Sequence, residues 1–250
     1  MTGTDLLPAR LSDELDVLAA RLVAAEGTSI RLLNYIGGRA ENMLEHLPDW
    51  AKDELERATE RALGYAVEAA QVSRGRLRDQ PAWVDTGFTT VLGAAGGSGG
   101  LPTALAELPV TTTVLFRAIL GIAAAHGFDP GKPEVRRAGL TVFSAAGPLE
   151  YDDGANTGFL AARVTLSGST VRSVIARVAP RLSIVLGQKL AAQTVPVLGA
   201  AAGAATNYAY TRYYQQMAHV HFGLARLARE GGHDTAVLTE ALRARLPRRV

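Results

Sequence analysis

The chain of 250 residues contains no cysteine, which removes a whole group of chemistries. Without thiols there is no disulfide framework, no thiolate nucleophile and no zinc site built on thiolates. The helical zinc motif HExxH is also missing. Nothing in the spacing pairs Ser144, Ser167 or Ser169 with a histidine. We therefore assign no metal, no cofactor and no catalytic residue from the sequence.

Aromatic residues make up only 6% of the chain, and the net charge is +2. A protein so close to neutral is not expected to bind nucleic acid, since that binding depends on many phosphate contacts. The first residues lack the apolar core of a secretory signal. The best candidate for a membrane span, Leu190–Thr211, is uncharged, but Gln193 and Pro196 make it a poor one. We expect a cytoplasmic protein that associates peripherally with the inner membrane face.

What the sequence does contain is a helical pattern. Hydrophobic residues (48%) recur mostly at steps of three and four, and no run alternates long enough to indicate a strand. Alanine and glycine are abundant in two weakly apolar segments, and small side chains let helices approach closely. The predicted fold is all-α, a single-domain bundle of many helices with two long Ala/Gly-rich core helices.

Helix boundaries follow from glycine, proline and capping residues. Gly27 and Thr28 are expected to break the first helix, Pro109 to kink or restart a later one, and Gly127 to end it. The predicted helices are Leu11–Glu26, Ser29–Leu47, Trp50–Arg74, Leu101–His126, Glu134–Ala145, Asn156–Leu166, Thr170–Gln193, one from Pro196 to Arg229 and a short one after Gly232. We expect the chain to divide into an N-terminal extension (1–29), the main helical domain (30–232) and a short basic C-terminal tail (233–250).

A glycine cluster, GGSGG, separates two of these segments. Glycine loops before helices can cradle phosphate, but no Lys-Ser/Thr pair follows and no strand is predicted before it. We interpret Gly96, Gly97, Gly99 and Gly100 as a hinge or a point of close helix packing.

Glu107 and Arg117 are the two charges of the long apolar segment after this cluster. Ten residues apart on one helix, they would be rotated by about 80° and would not share a stripe. Each needs a partner elsewhere if it is buried, because an unpaired buried charge is unfavourable. Structural ion pairs and a polar spot lining a cavity are the two interpretations.

The helix after Pro196 has two faces that matter. One carries Tyr210, Tyr214, Met217, His221 and Leu224 and is predicted to be core. The other is a strip of aromatic and polar groups that could bind a polar head group, namely Tyr208, Arg212, Gln215, His219, Phe222 and Arg226. His219 and His221 point about 200° apart and cannot share a metal ion.

Four segments in succession resemble the EcsC protein family: GGSGGLPTALAELPVTTTVLFRAILGIAAAHGFDP, PEVRRAGLTVFSAAG, GANTGFLAARVTL and KLAAQTVPVLGAAAGAATNYAYTRYYQQMAHVHFGLARLARE. The likeness extends roughly from Ile30 to Gly232. It implies a bacterial, helical protein with a loose link to membranes or transport. The family has no agreed catalytic residues, so the resemblance carries none over to this chain.

We expect from these observations that the protein binds a lipid or another amphiphile, or docks peripherally on a membrane surface. The ligand-binding candidates are Glu107, Arg117, Tyr208, Arg212 and His219, with Arg117, Arg212 and His219 facing an anionic head group. One alternative is a hydrolase-like enzyme whose polar centre combines Glu107 and His219 with Asp152 or Asp153. The other is a non-catalytic scaffold that docks a membrane protein through an Ala-rich face.

Overall fold

The computed structural model describes residues 9–36, 49–72, 82–98, 100–145, 169–193 and 199–247. Within these ranges the fold contains helices and no strand, which confirms the all-α prediction. The predicted helix at 156–166 and residue Gly99 lie outside the described residues. The helices are α1 (Ala9–Ile36), α2 (Asp49–Val72), α3 (Ala82–Ser98), α4 (Gly100–Ala125), α5 (Pro133–Val142), α6 (Val171–Gln193), α7 (Gly199–Gly231) and α8 (Thr235–Arg243).

Helix α7 is the centre of the bundle. It packs most extensively against α3 and α1 and also contacts α4, α5, α6 and α8. Its predicted core face is confirmed, because the side chains of Tyr210, Tyr214, Met217, His221 and Leu224 are all buried. Rings from neighbouring helices meet this face, and Phe143 packs edge-on to Tyr214 with 5.2 Å between the ring centroids.

One hydrophobic core joins side chains from α1, α2 and α4 through α8. Helix α1 contributes Leu15 and Leu22, and α8 contributes Leu238 and Leu242, all of them fully buried. The predicted division at 29/30 falls within α1, which continues as one helix to Ile36. The division of the chain into three parts stays a prediction.

The predicted break at Gly27 does not occur, and of the two outcomes predicted at Pro109, a kink or a restart, the restart does not occur. Helix α1 passes straight through Gly27, and α4 continues through Pro109 without restarting. A helical glycine costs only about 1 kcal/mol relative to alanine, and burial of Leu22 and Ala25 just before it offsets that. Pro109 removes one backbone hydrogen bond, but the buried side chains of α4 on both sides of it hold the helix in the core.

The predicted helix ends at glycine are confirmed. Gly127 follows α4 with φ +78° and Gly232 follows α7 with φ +63°, a left-handed conformation that side chains rarely adopt. Asp234 then starts α8, accepting a hydrogen bond from the backbone N–H of Ala236 at 2.8 Å. Pro133 starts α5 at its first turn.

Gly223 lets α1 approach α7 closely. A Cβ atom at this position would lie 2.6 Å from Cδ2 of the buried Leu18. We expect Gly223→Ala to destabilise the protein by about 1–3 kcal/mol, because Leu18 must move within a packed core. Urea unfolding followed by circular dichroism measures this. Gly64→Ala is the control: nothing lies within 4 Å of its Cβ, and it should stabilise by about 0.5–1 kcal/mol. Equal effects of the two substitutions would contradict the prediction.

One stretch of the described helices, Leu105–Ala125, is long and apolar enough to cross a membrane by length and composition alone. Of its most apolar window, 56% is buried inside the bundle, as expected for a core helix. Part of the span considered from the sequence, Leu190–Thr211, lies outside the described residues, between α6 and α7.

Candidate functional site

Four helices bring polar side chains together in an apolar part of the bundle. We call this set the buried polar cluster; it comprises Thr89 from α3, Glu107 and Thr111 from α4, Lys189 from α6, and Asn207 and Thr211 from α7. All six residues are buried. The side chains of Lys189 and Glu107 are only 1% and 5% exposed.

Glu107 is at the centre of the buried polar cluster. Its Oε1 atom accepts hydrogen bonds from Thr111 Oγ1 at 2.8 Å, from Asn207 Nδ2 at 2.7 Å and from Lys189 Nζ at 3.1 Å. The Thr111 bond is within α4, whereas the other two connect α4 with α7 and α6. Glu107 thus fixes the relative position of three helices.

Asn207 and Thr211 extend the cluster to α3. The amide Nδ2 of Asn207 also donates to the backbone carbonyl of Thr89 at 2.7 Å. The hydroxyls of Thr89 and Thr211 are 2.7 Å apart and share a hydrogen bond. A buried carbonyl and two buried hydroxyls are thereby satisfied across the closest pair of helices in the fold.

Burial and charge shift the pKa values of Glu107 and Lys189 in opposite directions. Burial by itself raises the pKa of Glu107, but the Lys189 charge and the hydrogen bonds from Asn207 and Thr111 outweigh it, so the pKa is lowered. Burial lowers the pKa of Lys189, and Glu107 opposes that shift. The carboxylate of Glu107 is therefore held ionised, with Lys189 as its counter-charge.

Two oxygen atoms of the cluster have no hydrogen-bond partner among the described residues. They are Oε2 of Glu107 and Oδ1 of Asn207, both fully buried. Each atom is an acceptor, so this side of the cluster can receive only a donor such as a hydroxyl, an N–H group or a water molecule.

Apolar side chains are exposed on the same four helices. Phe88 is 51%, Val91 70%, Val110 46%, Ile184 43% and Tyr208 50% exposed. Each lies within five residues of a member of the buried polar cluster. In the sequence, Glu107 is the one charge in residues 86–116 and Lys189 the one charge in residues 182–211. Both are buried, so the described surface of these stretches carries no charged side chain.

A second polar group lies between α1 and α7, away from the buried polar cluster. We call it the basic groove; it comprises Arg21 from α1, His126 directly after α4, and Arg212, Gln216 and His219 from α7. Arg21 Nη1 donates to Gln216 Oε1 at 3.0 Å. His126 Nε2 and His219 Nδ1 are 3.2 Å apart. All five side chains are half-buried and reach solvent.

The structure separates the residues predicted to bind a ligand. Glu107 belongs to the buried polar cluster, whereas Arg212 and His219 belong to the basic groove. Tyr208 is exposed beside Asn207. Arg117 is half-buried near Asp85; burial raises the pKa of Asp85 and the Arg117 charge opposes the shift. Their role in binding stays a prediction.

Glu107 and His219 do not meet. Glu107 contacts Asn207, and His219 is twelve residues farther along α7, which corresponds to about 18 Å. The polar centre of the hydrolase alternative therefore has no support in these contacts, and Asp152 and Asp153 lie outside the described residues. Across the described ranges, no three His, Asp or Glu side chains come together in a group that could hold a metal ion.

The glycine cluster matches the GxSxG pattern of serine hydrolases, with Ser98 at the serine position. That motif requires a sharp turn from a strand into a helix. Here Ser98 is the last residue of helix α3, and helix α4 starts at Gly100. The context of a nucleophile elbow is absent. The proposed hinge at Gly96, Gly97, Gly99 and Gly100 stays a prediction.

Fold and site together define a class: an all-α bundle whose two Ala/Gly-rich hairpins, α3–α4 and α6–α7, are joined by an internal ion pair. A family model described as the EcsC protein family matches residues 41–227. The chain therefore belongs to the EcsC protein family, and the predicted resemblance is confirmed. No curated protein and no solved structure is similar enough to the chain to count as a match.

Proposed function

We propose that this protein docks peripherally on a membrane surface through the ends of α3, α4, α6 and α7. The observation that carries the proposal is the exposed apolar surface around the buried polar cluster, on helices whose charges at this end are internal. Exposed apolar surface without charge is the kind that gains free energy in a lipid interface.

The buried ion pair is what makes this end suitable for lipid. Glu107 and Lys189 would each be unfavourable in hydrocarbon, but they neutralise one another inside the bundle at 3.1 Å. Asn207 and the threonines of the cluster likewise direct their hydrogen bonds inward. Among the described residues of these stretches, the exposed side chains are apolar or small.

The depth of the uncharged end matches one leaflet. The next charges along the four helices are Asp85, Arg117, Arg181 and Arg212. At 1.5 Å per residue, they lie about 18 to 26 Å from the helix ends at Ser98, Gly100, Gln193 and Gly199. The hydrocarbon of one leaflet is about 15 Å thick and its head groups extend to about 20–22 Å. With the helix ends near the bilayer centre, Asp85, Arg181 and Arg212 would lie among the head groups, and Arg117 would lie just outside them.

Three of those four charges are arginines, which favours anionic lipids. A guanidinium matches a phosphate oxygen pair in geometry, and cations near an anionic leaflet gain about 1 kcal/mol each. Arg117 and Arg212 were head-group candidates from the sequence, and the level of Arg212 in the fold supports that role. The cytoplasmic leaflet is anionic, which fits docking at the inner membrane face.

The proposal is tested by placing charge on the apolar surface. Phe88→Asp/Val91→Asp changes two exposed side chains, 51% and 70% accessible, so the fold should be unaffected. Burying each of these half-exposed side chains in the membrane gains about 1 kcal/mol. Partition of the double variant onto vesicles should therefore fall by more than about tenfold relative to the unaltered protein. Flotation with vesicles of phosphatidylcholine and phosphatidylglycerol measures it.

Matched controls are available elsewhere in the bundle. Val17 on α1 and Val237 on α8 are each 56% exposed, so Val17→Asp/Val237→Asp introduces the same charge outside the docking surface. This variant should float like the unaltered protein. Failure of the unaltered protein to float, or equal flotation of both variants, would overturn the proposal. Binding to a membrane protein without flotation on lipid alone would favour the scaffold alternative.

A further inference from the structure

We propose that the basic groove between α1 and α7 is a binding site for a phosphate-type anion. The ligand class is a phosphate monoester, either free or as the head group of a lipid. Arg212 is also one of the charges that border the docking surface, but His219 is twenty residues along α7 from Gly199, about 30 Å, so the groove extends well beyond that surface.

The helix geometry brings several hydrogen-bond donors together in the basic groove. Arg212, Gln216 and His219 follow at steps of four and three, so they share one face of α7. Arg21 reaches this face from α1 and is held there by its 3.0 Å hydrogen bond to Gln216. His126 reaches it from the end of α4, with its ring 5.4 Å from that of His219. The groove is thus formed by three separate segments.

The charge of the groove is positive and unbalanced. Among the described residues, no acid lies within salt-bridge distance of Arg21 or Arg212. The nearby acid, Glu14, is engaged by both guanidinium nitrogens of Arg226. Two guanidinium groups therefore act on one another and on the histidines without an anion between them.

The pKa values of the two histidines are lowered by this positive charge as well as by burial. Burial first, and then the charges of Arg21, His126 and Arg212, lower the pKa of His219 to about 4. Burial, Arg226 and Arg21 lower the pKa of His126, with Glu14 opposing. Burial and Arg212 lower even the pKa of Arg21. An anion placed in the groove would relieve these repulsions and favour protonation of one imidazole of the hydrogen-bonded pair.

Phosphate fits this set of donors better than a simple halide. A guanidinium presents a planar fork of N–H groups, and a phosphate oxygen pair accepts two of them in parallel. Imidazole N–H groups and the amide of Gln216 supply further donors at the rim. No acidic side chain of the groove itself would repel the ligand.

The test uses the full chain and inorganic phosphate. Titration at neutral pH, followed by NMR of the histidine side chains, should shift the resonances of His126 and His219 saturably. Sodium chloride at equal ionic strength should not. In the bound state the pKa of His219 should rise from its value of about 4. Absence of a saturable shift would overturn the proposal.

Three variants make the outcome specific. Arg21→Gln/Arg212→Gln should weaken the response about tenfold or more, since both charge-assisted contacts are lost. Arg212→Gln alone leaves the Arg21–Gln216 hydrogen bond in place, which guards against a loss of structure. Arg57→Gln/Arg172→Gln changes two exposed arginines elsewhere and should respond normally. Equal responses of all three variants would overturn the site.

Lipid vesicles then distinguish a lipid head group from a free phosphate monoester as the ligand. Vesicles containing phosphatidic acid should shift the same histidines if the ligand is a head group, and Phe88→Asp/Val91→Asp should abolish that shift. A response to inorganic phosphate alone would assign a free phosphate monoester. Because the docking variant keeps its response to inorganic phosphate, failure of membrane docking and failure of the anion site are distinguishable.

Discussion

Lys189→Met is expected to destabilise the protein by about 3–5 kcal/mol. The lysine side chain is 1% exposed and contacts Glu107 at 3.1 Å, so methionine leaves a buried carboxylate without its counter-charge. Hydrogen bonds from Thr111 and Asn207 remain, but they do not neutralise it. Urea unfolding measures the loss. Lys132→Met, at an exposed lysine before α5, should change stability by less than about 0.5 kcal/mol.

A double variant shows whether the loss comes from the stranded charge. Glu107→Gln/Lys189→Met removes both charges while keeping the side-chain volumes, and should regain most of the stability. A double variant as unstable as the sum of its single changes would mean that the two side chains contribute independently, and the loss would then not come from a stranded charge. A single Lys189→Met variant that loses less than about 1 kcal/mol would contradict the prediction.

A hydrophobic pair at these positions could be as stable, so the ion pair needs another reason. Around it Thr89, Thr111 and Thr211 occupy buried positions where bulky apolar residues would otherwise fix the packing. Polar contacts between such surfaces determine which residue faces which. We infer that Glu107 specifies the register of α4 against α6 and α7.

The sequence predicted most of the fold, because the signals are local. Apolar periodicity located the core face of α7, and Gly127 and Gly232 located helix ends. The wrong break at Gly27 and the absent restart at Pro109 have one cause. Breaker residues act through propensities of about 1–3 kcal/mol, and tertiary burial outweighs them. That burial is not readable from neighbouring residues.

The sites are long-range, and the candidates from the sequence include one residue of the buried polar cluster and two of the basic groove. Glu107 was expected to need a partner, but Lys189 is 82 residues away and was overlooked. The sequence does contain a signal for this ion pair, because residues 86–116 have a single charge, which is acidic, and residues 182–211 have a single charge, which is basic. Likewise, the spacing of residues along α7 indicates that Arg212 and His219 share one face. That spacing carries no signal for Arg21 or His126, because neither residue is on that helix.

Glu107→Gln removes the acidic member of the Glu107–Lys189 ion pair, and it should make the stability of the protein depend on pH. The substitution keeps the side-chain shape, but Lys189 then has no counter-charge among the residues of the buried polar cluster. We expect a loss of about 3 kcal/mol at neutral pH. Stability should be measured by urea unfolding from pH 7 to about pH 10, with Glu134→Gln, at an exposed acid of α5, as the control.

The sign of the pH dependence follows from Lys189. Burial lowers its pKa, and Glu107 opposes the shift, so without Glu107 the folded-state pKa moves farther below the unfolded value of about 10.4. Between these two values the unfolded chain binds more protons, so the free energy of unfolding rises with pH, by at most about 1.4 kcal/mol per unit. Glu107→Gln should therefore regain stability toward pH 10 more steeply than the unaltered protein or the Glu134→Gln control. Parallel curves would mean that Lys189 reaches solvent or another anion, and the interpretation of Glu107 as its counter-charge would be wrong.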